Sequence, residues 1–121
     1  MTRTAPDLQL PDLAGRRALV TGGSDGIGLR IAARLARAGA EIVLPVRNRT
    51  KGDAAVDRIR ADAPRARVIL HDLDLASLAS VAALGEELRG DGAPLHLLIN
   101  NAGLMSPPSR QLTADGFEAQ W

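Results

Sequence analysis

The most restrictive feature of this chain is the run Thr21-Gly22-Gly23-Ser24-Asp25-Gly26-Ile27-Gly28, set between a strand-like Arg17-Ala18-Leu19-Val20 and a helix-like stretch from Ile27 to Ala38. A strand that passes through glycines directly into a helix brings bare backbone up to whatever sits at the turn, because no Cβ intervenes. The helix start adds unpaired N–H groups and the positive end of its dipole, which favour an anion. Together these make a cradle suited to a nucleotide diphosphate. The plainer alternative is a tight turn with no ligand. Gly22, Gly26 and Gly28 read G-x-x-x-G-x-G rather than the common G-x-G-x-x-G. A phosphate loop of the G-x-x-x-x-G-K-[ST] kind is excluded, since the only lysine is Lys51.

Strand and helix patterns alternate beyond this turn. Short apolar runs at Arg17–Thr21, Glu41–Val46, Ala66–His71 and Leu95–Ile99 read as strands, with helical spacing between them. In the first helix Ile27, Ile31 and Leu35 form one stripe, Arg30, Arg34 and Arg37 a solvated face, and Gly39 a stop. The second starts at Thr50 with Asp53 completing a capping-box variant, buries Val56 and Ile59, and ends near Pro64. The third follows Ser77 as N-cap and sets Leu78, Val81, Gly85 and Leu88 on one face. A fourth begins around Thr113.

This order predicts an α/β fold: a Rossmann-like parallel sheet with helices on both faces, ligand at the carboxyl ends of its strands. Pro45 belongs near the end of its strand, because proline removes a ladder donor. Residues 1–14 read as an N-terminal extension and 15–121 as a partial dinucleotide-binding domain, cut after the fourth strand and the start of the next helix.

Composition narrows the function classes. At 121 residues the chain is one domain at most, and 45% hydrophobic with 24% charged residues is ordinary for a globular protein. A net charge of +1 gives no bulk attraction to nucleic acid or membrane, and neither is expected as a partner. Without cysteine there is no disulfide frame and no thiolate chemistry. His71 and His96 stand alone in apolar runs, where packing is the expected role and metal ligation is not. No signal-type apolar stretch or run of ~20 apolar residues occurs, so a cytoplasmic chain is expected.

Three further features fall where a dinucleotide would need them. The second strand ends at Val46-Arg47-Asn48, where NAD binders carry an acid for the ribose 2′-hydroxyl, and no acid lies between Glu41 and Asp53. A guanidinium at Arg47, with Arg49 close by, can pair with a 2′-phosphate, which favours NADP over NAD; a solvated arginine is the alternative. The third strand runs into Asp72-Leu73-Asp74-Leu75, where a carboxylate can accept from the adenine amine or simply cap the next helix. The fourth strand ends in Asn100-Asn101-Ala102-Gly103, a sequence fit for tight turns and side-chain bonds to neighbouring carbonyls.

In this order and spacing, T-G-x-x-x-G-x-G, D-L and N-N-A-G closely resemble the short-chain dehydrogenase/reductase family from about Leu13 to Trp121. Val46-Arg47-Asn48 and Leu73 to Leu78 are similar to its NADP-preferring, retinol-dehydrogenase-like members. The resemblance implies that Gly22, Ser24, Asp25, Gly26, Ile27 and Gly28 line the diphosphate and ribose, and that Arg47 and Asn48 hold the 2′-phosphate. It implies that Asp74 and Leu75 contact adenine, and that Asn101, Ala102 and Gly103 line the ribose and brace the sheet. Preferring Asp74 to Asp72 rests on the resemblance alone.

The family's acid/base Tyr, its Lys in Y-x-x-x-K and an upstream Ser all follow the N-N-A-G motif, and this chain has no tyrosine. No catalytic residue is therefore carried over. The first expectation is the N-terminal, cofactor-binding half of an NADP(H)-dependent enzyme. When full-length, that enzyme would be a homo-oligomer moving hydride between nicotinamide and a small alcohol or carbonyl substrate. The rival expectations are a catalytically inactive nucleotide-binding or regulatory module, and a gene fragment that holds no stable fold because its fourth strand is an apolar edge.

Overall fold

The computed structural model describes residues 9–103 and 111–117. Among them, strands and helices alternate: β1 (Arg17–Val20), α1 (Gly26–Arg37), β2 (Glu41–Val46), α2 (Arg49–Asp62), β3 (Val68–Asp72), α3 (Leu78–Asp91) and β4 (Leu97–Ile99). The strands form one parallel sheet in the order β3-β2-β1-β4. Parallel pairing sets every carboxyl end on one edge, and the order reverses direction at β1, the place where open α/β sheets hold ligands.

Apolar alternation explains how the helices attach. Ala18, Val20, Ile42, Leu44, Val46 and Val68 project to one face, where they pack on Leu29, Ala32, Leu35 and Ala36 of α1 and Ala55 and Ile59 of α2. Each buried leucine or isoleucine there contributes about 1.5–3 kcal/mol. Successive strand residues point to opposite faces. His71, one residue past Leu70 of that cluster, accordingly meets α3 on the other side, with its Nδ1 2.8 Å from a Glu87 carboxylate oxygen. Helices thus cover both faces.

The sheet tolerates Pro45 for a geometric reason. The N–H of Glu41 bonds Arg16 on the β1 side and that of Ile42 bonds Arg67 on the β3 side. Alternation places the Pro45 nitrogen on the β1 side, past Leu19↔Val43, the last β1–β2 pair. The missing donor therefore falls where the β1–β2 ladder ends.

Several local expectations are corrected. The α1 stripe is Gly28, Leu29, Ala32, Leu35 and Ala36, while Ile27 is 72% exposed. Its stop at Gly39 is as expected, a Schellman turn with Gly39 N–H to Ala36 and Ala40 N–H to Leu35 at 3.0 and 3.1 Å and Gly39 at φ +103. The N-cap of α2 is Asn48, whose Oδ1 accepts from Lys51 N–H at 3.1 Å, in place of the Thr50–Asp53 box. Two candidate caps lie two residues apart, and the strand pairing of Val46 with Asp72 leaves the helix to begin at once. In α3 the buried residue is Leu84, whereas Leu78, Val81 and Gly85 face out and Leu88 is half-buried. Thr113 to Phe117 form a turn closed by Thr113 N–H to the Phe117 carbonyl at 2.7 Å, and no helix starts there. The continuation from 118 to 121 lies outside the described residues, as does the stretch 104–110.

At the opening edge of the sheet, Arg17 is almost wholly buried. Its guanidinium bonds Asp91 at the end of α3 and lies 3.5 Å from Glu41, while its N–H donates to His96 Nδ1 at 2.9 Å. Both histidines therefore serve as structural partners. Among the described residues no cluster of His, Cys, Asp or Glu could hold a metal ion, and no helix is long and apolar enough to cross a membrane.

Candidate functional site

The glycine turn is fixed from below by Thr21. Leaving β1, its N–H donates to the Ile99 carbonyl at 3.1 Å. Its hydroxyl donates to the same oxygen at 3.4 Å and accepts from the N–H groups of Asn101 and Ala102, both at 3.1 Å. One donor and two lone pairs are all spent, so this buried hydroxyl ties the end of β1 to the loop after β4. The Asn101 amide adds a bond from Nδ2 to the Gly22 carbonyl at 3.2 Å.

These ties give the glycine spacing its reason. Gly22 sits at φ +65, and a Cβ there would come within 2.9 Å of Ala102 Cα. A Cβ on Gly28 would run into the Gly22 carbonyl oxygen and the Asn101 amide. Gly26, at φ +56, has nothing within 4 Å of its would-be Cβ, so it presents open backbone to the outside. The first helical bond of α1 runs from Leu29 N–H to the Asp25 carbonyl, which leaves the amides of Gly26, Ile27 and Gly28 ahead of it. Asp25 is the N-cap, yet its side chain makes no cap bond, and no acidic residue lies in the first turn. The positive end of α1 is open to a ligand anion.

The other sequence-derived residues sit along the same edge. Arg47 is exposed directly after β2. Asn48 commits its side-chain oxygen to capping α2. Arg49 Nε bonds Asp72 at 2.8 Å, which holds the Asp72 carboxyl below and the Arg49 guanidinium above their usual ranges. Asp72 is thereby occupied. Asp74 bonds the Ala76 N–H through one oxygen at 2.9 Å, and its own N–H donates to Ser80 Oγ at 2.7 Å, leaving its second oxygen free beside the exposed Leu75. Ser24 is half-buried at the turn, and Ala102 and Gly103 lie exposed past β4.

Two residues escaped the sequence reading. Thr21 stood inside the motif, but the three hydrogen bonds of its hydroxyl are to residues about 80 positions away. Asp115 accepts from Leu78 N–H at 2.8 Å and so caps α3 from the far turn, beside Ser77, whose Oγ accepts from Ser80 N–H at 3.2 Å. The T-x-D-G sequence Thr113-Ala114-Asp115-Gly116 was the available signal.

A family model described as short chain dehydrogenase matches residues 16–120. The chain belongs to the short-chain dehydrogenase family. Short-chain dehydrogenase/reductase drtF of Aspergillus calidoustus is 44% identical over 93% of this chain, which covers 35% of that protein. Retinol dehydrogenase 12 of Mus musculus is 38% identical over 95% of this chain, covering 35% of the mouse protein. A crystal structure of a metagenomic short-chain oxidoreductase in complex with NADP superposes with a TM-score of 0.70 at 34% identity, over 77% of this chain and 41% of that one. This short-chain dehydrogenase chain therefore spans about a third of the length of the curated relatives it matches.

Proposed function

We propose that the chain is the cofactor-binding part of an NADP(H)-dependent short-chain dehydrogenase. The observation that carries the reading is the meeting, at one sheet edge, of the open glycine turn, the exposed Arg47 and the free oxygen of Asp74. The α1 amides and bare Gly26 would hold the diphosphate. Arg47 would pair with the 2′-phosphate, Asp74 and Leu75 would meet adenine, and Asn101 to Gly103 would flank the ribose. The NADP held by the metagenomic relative supports the choice of dinucleotide. The cofactor supplies the hydride chemistry. The protein's own contribution here is to bind and orient it, at a turn that Thr21 fixes against β4.

With no tyrosine in the sequence, the chain alone has no group of the family's type to deliver a proton to a carbonyl. Binding without turnover is the expected behaviour, and a panel of aldehydes and alcohols would expose any activity. Fluorescence titration tests the cofactor: NADPH should bind more tightly than NADH, and Arg47→Asp should reverse the order. Equal affinity for both would remove Arg47 from the site.

A further inference from the structure

At the opposite edge of the sheet, where the strands begin, lies a cavity of about 700 Å3. The end of α1, the start of β2 and the α2–β3 connection wall it, and Arg16, Arg37, Arg65 and Arg67 stand around it with Glu41 and Asp62. Arginines near helix ends ordinarily answer the last carbonyls. At the end of α1 backbone groups already do so. The Schellman bonds close α1, and Leu13 N–H reaches the Ala38 carbonyl at 2.7 Å. After α2, the N–H of Ala66 bonds the Ala63 carbonyl at 2.9 Å and closes the turn into β3.

The carboxylates do not account for the arginines either. Glu41 turns to the buried Arg17, 3.5 Å away. Among the described residues, no hydrogen bond or ion pair engages the side chains of Arg16, Arg37, Arg65 or Arg67. Among the described residues that line the hollow, Glu41 and Asp62 are set against four arginines, and Glu41 is shared with Arg17. A guanidinium presents paired donors that match phosphate oxygens, and the volume of this open hollow is in the range of small-ligand sites. A single carboxylate would leave most of this charge uncompensated.

We propose that this cavity binds a compact, multiply charged phosphate, of pyrophosphate size or larger, at a site separate from the glycine turn. The two lie at opposite ends of the same strands, so either can be occupied or lost without the other.

Titration of the nitrogen-labelled chain with inorganic pyrophosphate at physiological salt, followed by amide NMR, tests this. Saturable shifts are expected at Gly15, Gly39, Ala40 and Ala66. The pair Arg37→Ala and Arg65→Ala should weaken binding roughly tenfold, and the corresponding lysine pair should weaken it less, because charge remains while the fork is lost. Asp62→Asn should tighten binding, and Arg47→Ala should leave these shifts unchanged. Shifts confined to Gly22 through Gly28 would overturn the proposal while leaving the dinucleotide reading intact. A response that never saturates, or that sulfate and chloride reproduce, would mean an adventitious ion only and would overturn it as well.

Discussion

The two faces of the sheet are held by different forces. On the α1/α2 face, Ile42, Leu44, Val20 and Ile59 are completely closed from water, and the helices stay because they bury an apolar stripe. On the other side, Leu75, Leu78, Val81, Leu95 and Leu98 remain between 40% and 59% exposed. There α3 is fixed mainly at points along its length: Ser77 and Asp115 at its start, Glu87 to His71, and Asp91 to Arg17 at its end. Leu19, Val43 and Leu84 are also buried on this side, so polar ties here supplement a smaller apolar contact, whereas the first face rests on packing alone.

A core truncation should test this difference most plainly. Ile59→Ala removes a fully buried side chain and should cost about 2–5 kcal/mol in urea unfolding. Leu78→Ala, on an exposed side chain of α3, should cost about 0.5 kcal/mol or less. Comparable losses would show that α3 packs as firmly as α2.

Glycine substitutions sharpen the contrast at the site itself. Gly28→Ala forces a Cβ into the Gly22 carbonyl and should cost about 1–3 kcal/mol, with loss of nucleotide binding. Gly85→Ala, in the open middle of α3, meets nothing within 4 Å and should stabilise by about 0.5–1 kcal/mol. Calorimetry of both variants reads the difference, and a destabilised Gly85→Ala would mean that this face of α3 is covered.

The caps of α3 come next in size. Asp115→Ala should cost about 1 kcal/mol, as should Ser77→Ala. Hydrogen exchange at Leu78 and Ser80 would separate the two, since Asp115 serves the first amide and Ser77 the second. Unchanged protection at Leu78 in Asp115→Ala would dissolve the tie between the Thr113–Phe117 turn and the start of α3.

What was legible in the sequence follows the same division. The strands, their alternation with helices and the turn at Gly22 to Gly28 were readable because apolar period and glycine placement are local signals. Leu78, Val81 and Leu88 looked like a buried stripe because apolar residues on α3 also occur at Leu84, and spacing alone does not say which stripe meets the sheet. The Asn48 cap was not anticipated, since where a helix starts depends on how far β2 pairs with β3. Thr21 and Asp115 act on partners distant in sequence, which no local pattern encodes. Asp72 and Asp74 were equivalent chemically until Arg49 was seen to occupy one of them.

That pair gives the smallest effect and a defined sign. The bond from Arg49 lowers the Asp72 carboxyl below its ordinary value, so its folded form is favoured with the carboxylate charged. A group depressed on folding lends stability that is present above the unfolded carboxylate pKa and disappears as pH falls through the lowered folded value. Wild type should therefore be slightly more stable than Asp72→Asn near neutrality, and the margin should shrink to nothing in acid. Both side chains are largely exposed, so salt should screen the margin as well. Paired thermal melts across pH at low and high salt measure it. A margin that survives acid or high salt would trace to the contacts of Asp72 with β2 rather than to its charge.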